Sequence, residues 1–187
     1  PIGSEWQFFG LKIAIVDLNL DGHIDLVIAA PHAESTRGYI HVIWGGQSSP
    51  LPSSMSLPVT SLTQGCYFKG TIAQSEWGTS LATGDINGDG NIDLILGAYE
   101  AQIVTVAFAS ASTKWSLGMT LPITNSLTFI NNIANEGMTA GLAEDLNGDE
   151  FDDISFVAPE AARVYIVYGR RINNNNSTPI TITSSSV

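Results

Sequence analysis

Three short acidic loops constrain this chain more than any other feature of its sequence. The segments that begin at Asp17, Asp85 and Asp145 align without a gap, with Asp at positions 1, 5 and 9 and Asn at position 3. Nine of the ten Asp residues occupy these positions, whereas the Glu residues show no such order. A randomly solvated surface would not separate Asp from Glu, so the pattern indicates one structural unit present in three copies.

Each loop is followed by two short runs with the composition of β-strands. The first run is apolar and covers 26–31, 94–99 and 154–159; the second is rich in Val, Ile and aromatic residues and covers 38–44, 103–108 and 163–168. Such runs, bounded by Gly, Pro, Asn and Asp, are typical of strands, and none has the length and period of an amphipathic helix. A weaker strand pattern recurs near 56–62, 115–121 and 178–183.

Four strands repeated at this spacing are typical of a propeller blade. We therefore expect an all-β chain of three four-stranded antiparallel blades, divided as 1–62, 63–123 and 124–187, within one propeller domain. The Asn-rich stretch 173–176 is expected to be a loop of the third blade.

The loops have the donor set of a calcium site. Ca²⁺ takes about 6–8 oxygen ligands, and side chains at positions 1, 3, 5 and 9 of such a loop can converge, with a backbone carbonyl at position 7. A plain hairpin turn explains only the Asp-Gly pair, not three carboxylates that would repel one another without a cation. Up to three Ca²⁺ ions are expected. The predicted ligands are Asp17, Asn19, Asp21, His23 and Asp25; Asp85, Asn87, Asp89, Asn91 and Asp93; and Asp145, Asn147, Asp149, Phe151 and Asp153.

The third loop departs from the pattern. Glu150 stands where the other loops have Gly22 and Gly90, and Asp152 adds a further charge, so we expect a strained and weaker third site. An EF-hand is excluded because position 12 lacks the bidentate Glu, and Mg²⁺ is disfavoured because it prefers a smaller octahedron with several waters.

Composition excludes several classes of partner. The net charge is −11 with 7 Lys+Arg, which disfavours nucleic acid and anionic lipid surfaces. No apolar run approaches the roughly 18–20 residues that span a bilayer. No catalytic constellation is evident: Ser80 lacks the second Gly of a nucleophile elbow, and His23, His32 and His41 share no metal-ligand spacing. Non-catalytic binding is therefore expected.

Short motifs frame each acidic loop. Phe9-Gly10 and Trp77-Gly78 precede the first two loops, and Glu136-Gly137 precedes the third; the triplets Ala29-Ala30-Pro31, Gly97-Ala98-Tyr99 and Val157-Ala158-Pro159 follow. With these motifs the chain resembles the FG-GAP repeat of integrin α subunits and related extracellular propellers. The resemblance implies that each ion braces the hairpin on the lower rim. It also implies a propeller of seven blades, so we expect a fragment, with further blades supplied by the same or other chains.

The resemblance places recognition on the opposite rim, in 31–38, 99–102 and 159–163, with His32, Glu34, Arg37, Glu100 and Arg163. It implies an extracellular or cell-surface adhesion module that binds a protein or a glycan. Two alternatives stay open: an accessory propeller of a larger secreted enzyme similar to a glycosylphosphatidylinositol-specific phospholipase, or a structural subunit of a cell-surface assembly. Glycosylation sequons begin at Asn175 and Asn176.

Overall fold

The computed structural model of the chain describes residues 8–46, 54–109, 115–122, 126–131, 139–171 and 180–182. The strands in these ranges are β1 (Ile13–Val16), β2 (Asp25–Ala30), β3 (Tyr39–Ile43), β4 (Gly65–Gly70), β5 (Trp77–Gly84), β6 (Asp93–Ala98), β7 (Ile103–Ala107), β8 (Met119–Leu121), β9 (Leu127–Asn131), β10 (Thr139–Glu144), β11 (Asp153–Ala158), β12 (Arg163–Val167) and β13 (Ile180–Ile182).

The strands form three sheets, which we call blades 1, 2 and 3. Blade 1 has the order β1-β2-β3-β4-β8, blade 2 has the order β5-β6-β7-β9-β13, and blade 3 comprises β10-β11-β12. The first four strands of blades 1 and 2 pair in antiparallel fashion, as do the three strands of blade 3. The predicted all-β fold of antiparallel blades is therefore confirmed, and each acidic loop joins the first two strands of its blade.

The fourth strands lie elsewhere than the sequence pattern predicted. The prediction near 56–62 is wrong: no strand forms there, and β4 is the fourth strand of blade 1. Strands do form within 115–121 and 178–183, but β8 joins blade 1 in parallel with β4, and β13 joins blade 2 in parallel with β9. Local composition indicates that a segment is extended; it does not indicate which sheet accepts it. The sheets therefore extend past the predicted boundaries at 62 and 123.

The cores lie between the blades. In β6, Leu94, Leu96 and Ala98 face blade 1, while Ile95 belongs to the cluster shared with blade 3. This two-sided burial explains why the strand is apolar at successive positions. The rings of Phe129 and Phe156, 4.8 Å apart, join blades 2 and 3. Each fully buried large side chain in these clusters contributes about 1.5–3 kcal/mol to stability.

The aromatic-glycine motif has a packing role. Trp77 is buried in the cluster between blades 1 and 2, and Gly78 follows it with φ 95°. A Cβ at Gly78 would lie 2.8 Å from the Cβ of Ala29 in blade 1. Glycine therefore allows the first strand of blade 2 to approach the second strand of blade 1.

Two short helical turns, Ala33–Thr36 and the 3₁₀ turn Pro159–Ala161, follow the second strands of blades 1 and 3. No helix in the described ranges is long and apolar enough to cross a bilayer.

Candidate metal-binding loops

The three acidic loops share one backbone-to-side-chain hydrogen-bond pattern. In the first loop, Asp17 accepts from the N–H groups of Asp21 (3.1 Å) and Gly22 (2.8 Å), and Asn19 accepts from Asp21 (3.1 Å). Asp21 in turn accepts from the N–H of His23 at 2.9 Å. The same bonds occur in the second and third loops within 0.2 Å of these lengths. The oxygens at positions 1, 3 and 5 thus turn toward the same few backbone groups of their loop.

The Asp at position 9 has a different environment. Asp25, Asp93 and Asp153 are each 1% exposed or less. One carboxylate oxygen accepts from the N–H at position 2 of the same loop (2.9–3.2 Å), and the other accepts from an N–H just beyond the third strand of the blade (2.8–2.9 Å). Sequence reasoning assigned this residue only as a ligand and missed its role as a brace between the loop and the third strand.

Burial disfavours the charged form of this Asp. It raises the pKa of Asp93 to about 8, and the negative charges of Asp89 and Asp85 add to the effect, while N–H donors from Ala109 and Ile86 oppose it. Burial likewise raises the pKa of Asp25. Across the described part of the chain no ion pair involves a loop carboxylate. The loops therefore concentrate negative charge without a protein cation to balance it.

The donors of each loop are oxygens, which hard cations prefer. In the described ranges no group of three or more His, Cys, Asp or Glu side chains is already spaced to hold a metal ion. Each loop nevertheless supplies three carboxylates and one amide oxygen. A carboxylate offers about four lone-pair sites, so an oxygen that accepts an N–H can still bind a cation. The chemistry of these donors therefore fits an oxygen-coordinated ion such as Ca²⁺.

Two positions of each loop have a left-handed backbone. At position 6, φ is 84° for Gly22, 85° for Gly90 and 71° for Glu150, so the third loop keeps the turn in spite of its side chain. Position 4 is left-handed too, and there the first loop carries Leu20, with φ 60°. Sequence reasoning recognised the strain at Glu150 and missed the strain at Leu20, although Gly88 and Gly148 at position 4 of the other two loops are the signal that could have shown it. Each non-glycine residue with a left-handed backbone lowers the free energy of unfolding by about 1 kcal/mol or more.

The second and third loops are fastened to each other. Asp152 accepts a hydrogen bond from the N–H of Asp85 at 2.7 Å, and the N–H of Asp152 donates to the carbonyl of Asp85 at 3.1 Å. The ring of Phe151 lies against Gly88, where a Cβ would come within 2.3 Å of it. Asp152, which the sequence indicated only as an extra charge, therefore links two blades.

The opposite rim carries contacts within and between blades. Glu34 accepts from Lys69 (2.7 Å) and from the hydroxyl of Tyr39 (2.6 Å), and these donors lower the pKa of Glu34. The hydroxyl of Tyr99 donates to Glu160 of blade 3, which raises the pKa of Tyr99 to about 12.

Of the residues predicted for recognition on this rim, Glu34 and Arg37 pair at 3.6 Å and His32 lies 3.4 Å from Glu76. Glu100 and Arg163 are exposed. Glu136, Gly137, Asn175 and Asn176 lie outside the described residues.

Three reactive side chains are buried between strands. Ser80 accepts a hydrogen bond from the N–H of Ala140 at 2.9 Å and so links blades 2 and 3. Burial raises the pKa of the Cys66 thiol, which keeps it protonated. Burial also lowers the pKa of His41 to about 4. In the described fold these three side chains are therefore part of the packing between strands.

Comparisons with known proteins agree with this architecture. A family described as FG-GAP-like repeat matches residues 17–96. Integrin alpha-V from Gallus gallus is 26% identical over 186 residues, covering 90% of this chain and 16% of the integrin. Phosphatidylinositol-glycan-specific phospholipase D from Homo sapiens is 31% identical over 177 residues, covering 86% of this chain and 20% of the phospholipase. Integrin alpha-3 from Cricetulus griseus is 35% identical over 96 residues, covering 49% of this chain and 8% of the integrin. The chain thus spans a fifth or less of these relatives.

Proposed function

Because this chain belongs to the FG-GAP repeat family, we propose that it is a calcium-binding propeller module, extracellular or at the cell surface, that binds a protein or glycan and has no catalytic activity of its own. One observation carries the proposal: three loops place three carboxylates and one amide in the same hydrogen-bonded arrangement, and among the described residues no ion pair engages these carboxylates. Millimolar extracellular calcium fills such sites even at modest affinity.

The residues that would hold each ion are those at positions 1, 3, 5 and 9, with the carbonyl at position 7. A bound Ca²⁺ supplies two positive charges that offset the repulsion among the loop carboxylates. The chain's own contribution is to hold those carboxylates ready. In the second loop, Asp85 and Asp89 are fixed by backbone donors, and the buried Asp93 ties the loop to the end of β7. Calcium would therefore stabilise the hairpin and the rim that it forms.

Recognition is assigned to the rim opposite the loops, where the exposed Glu100 and Arg163 lie. The relatives named integrins support a binding role for a propeller of this type. Separating the calcium rim from the binding rim would let the ions stabilise the scaffold without competing with the partner.

A second candidate rests on the match to a phospholipase D over 86% of this chain. Under that reading the propeller is an accessory part of a larger secreted enzyme and supports its stability or its approach to substrate. The two candidates share the calcium loops and differ in what the opposite rim contacts. Immobilised chain is offered a glycan array and, separately, vesicles that carry a phosphatidylinositol-glycan. Vesicle binding that is lost in Glu100→Ala and Arg163→Ala would favour the accessory role, whereas glycan binding lost in the same variants would favour adhesion.

The calcium proposal is tested by thermal unfolding of the chain in EDTA, in CaCl₂ and in MgCl₂. A ligand that binds only the folded form stabilises it by about 2.7 kcal/mol per site at a hundredfold excess over Kd. We expect a clear rise of the midpoint in Ca²⁺ and a much smaller rise in Mg²⁺. Asp89→Asn should reduce the rise, and Glu100→Ala, on the opposite rim, should not. Equal midpoints in EDTA and CaCl₂ would contradict the proposal.

A further inference from the structure

A groove runs between the acidic loops on the rim that carries them. It has a volume of about 640 Å³, and residues of all three loops and of strands β1 and β5 line it. This volume lies within the range of about 300–1,000 Å³ that is usual for ligand sites. We call it the loop groove. The lining residues on which the argument depends are Ile15, Asp17, Leu20, Ile24, Ile92 and Asp152.

Position 8 of every acidic loop contributes to the loop groove. It is held by Ile24 in the first loop, Ile92 in the second and Asp152 in the third. Ile24 is 60% exposed and Ile92 is 40% exposed, and Ile15, which lines the same groove, is 68% exposed. Position 8 is not among the predicted calcium ligands, and a hairpin turn does not require isoleucine there. Apolar side chains that are exposed together beside polar ones are typical of a binding surface.

Leu20 extends the apolar wall of the loop groove at the cost of backbone strain. Its φ is 60°, at the position where the other two loops have Gly88 and Gly148. Glycine adopts a left-handed conformation without strain, so the turn alone does not explain a leucine. Leu20 lines the groove together with Ile15 and Ile24. Because strained residues persist where a function uses them, this leucine supports an occupant with an apolar part.

The charged residues that line the loop groove, Asp17 and Asp152, are both acidic. All the lining residues belong to the described part of the chain, and none of them is Lys, Arg or His. Asp152 accepts a hydrogen bond from the N–H of Asp85, but a carboxylate has about four lone-pair sites and can accept further bonds. A bound Ca²⁺ would leave the first loop negative, because its three Asp side chains outweigh the two charges of the ion. The groove therefore complements a cation that has an aliphatic stem.

We propose that the loop groove binds a Lys or Arg side chain of a partner polypeptide. The aliphatic stem lies along Ile15, Leu20 and Ile24, and the cationic head bonds to Asp17 or Asp152. Lys and Arg bury their methylene groups on apolar surface while the charged end stays with polar groups. The net charge of −11 attracts a basic partner over a longer range. This site is separate from the rim proposed for recognition and does not depend on bound calcium.

The test is a titration of the 187-residue chain, followed by two-dimensional amide NMR in CaCl₂ and in EDTA. The probes are blocked peptides with one Lys or one Arg between alanines, and a norleucine peptide keeps the stem without the charge. We expect saturable shifts of the amides of Ile15, Ile24 and Ile92, and binding of the norleucine peptide that is weaker by about fivefold. Absence of these shifts in both buffers, or equal affinity for the norleucine peptide, would overturn the proposal.

The variant Leu20→Gly separates binding from folding. It relieves the left-handed strain, so the unfolding midpoint should stay or rise, while binding of the Lys peptide should weaken by about fivefold because the stem loses an apolar wall. Ile72, which is 56% exposed outside the groove, supplies the control: Ile72→Ala should leave the affinity unchanged. Unchanged affinity in Leu20→Gly would refute the proposal. Binding of n-butylamine as tight as that of the Lys peptide would identify a free alkylamine as the occupant and refute the assignment to a polypeptide.

Discussion

The carboxylate of Asp152 accepts a 2.7 Å hydrogen bond from the backbone N–H of Asp85, across the boundary between two blades. Asp85 is the first residue of the second acidic loop, and Asp152 lies one residue before the last position of the third. Two backbone bonds run alongside, from the N–H of Asp152 to the carbonyl of Asp85 (3.1 Å) and from the N–H of Arg170 to the carbonyl of Ile86 (3.2 Å). Hydrogen bonds therefore hold the second and third loops together.

Asp152→Ala should destabilise the chain by about 1–2 kcal/mol, because the N–H of Asp85 loses its acceptor in a partly buried position. Asp152→Asn should cost less, since the amide oxygen can still accept. Glu144→Ala removes one negative charge from the same blade and serves as the control. Urea unfolding measures the three free energies. If Asp152→Ala and Glu144→Ala cost the same, the link between the loops carries no stability.

Relief of backbone strain should stabilise the third loop. Glu150→Gly places glycine at φ 71° and should raise the free energy of unfolding by about 0.5–1 kcal/mol, net of the entropy that glycine adds to the unfolded chain. Gly90→Ala, at the same position of the second loop, has open space for its methyl and should still cost about 1 kcal/mol from φ alone. Opposite signs for the two variants by urea unfolding support the account; a loss for Glu150→Gly contradicts it.

His41 should make stability depend on pH. Burial lowers its pKa to about 4 in the folded chain, against about 6.5 when unfolded. The unfolded state therefore binds the proton first, so the contribution is complete above pH 6.5 and is lost as pH falls toward 4, by up to about 3 kcal/mol. The rings of Phe9, Tyr39 and Tyr67 have their centroids 5.7–6.2 Å from that of His41.

The measurement is the pH dependence of urea unfolding between pH 7 and 4, for the chain and for His41→Leu. The substitution should flatten the profile, and the exposed His23→Asn, which matches Asn91 of the second loop, should leave it unchanged. A profile that His41→Leu does not alter would place the pH dependence in the carboxylates instead.

The hairpins of this fold could be predicted from the sequence, because each depends on residues that are close together in the chain. The acidic loops and the runs 26–31 and 94–99 identify hairpins, since an Asp-Gly turn and an apolar strand are each determined within a few residues. The fourth strands could not be placed, because the sequences 55–60 and 119–124 look alike, whereas in the described ranges Met119–Leu121 pairs with β4 and 55–60 forms no strand.

The candidate site could likewise be predicted only in part. The composition of the loops indicated which residues supply oxygen donors, whereas the two backbone bonds to Asp93 come partly from 16 residues away and leave no local pattern. The link between Asp152 and Asp85 spans 67 residues and arises from how the blades pack.

The measurement closest to the central claim is a calcium titration of the metal-free chain by isothermal titration calorimetry. We expect up to three ions per chain, with the third site weakest because Glu150 strains its loop. Asp21→Asn, Asp89→Asn and Asp149→Asn should each weaken or remove one site and leave the others. Absence of calcium binding at millimolar concentration, in a chain shown to be folded, would mean that the loops are turns alone and would contradict the account.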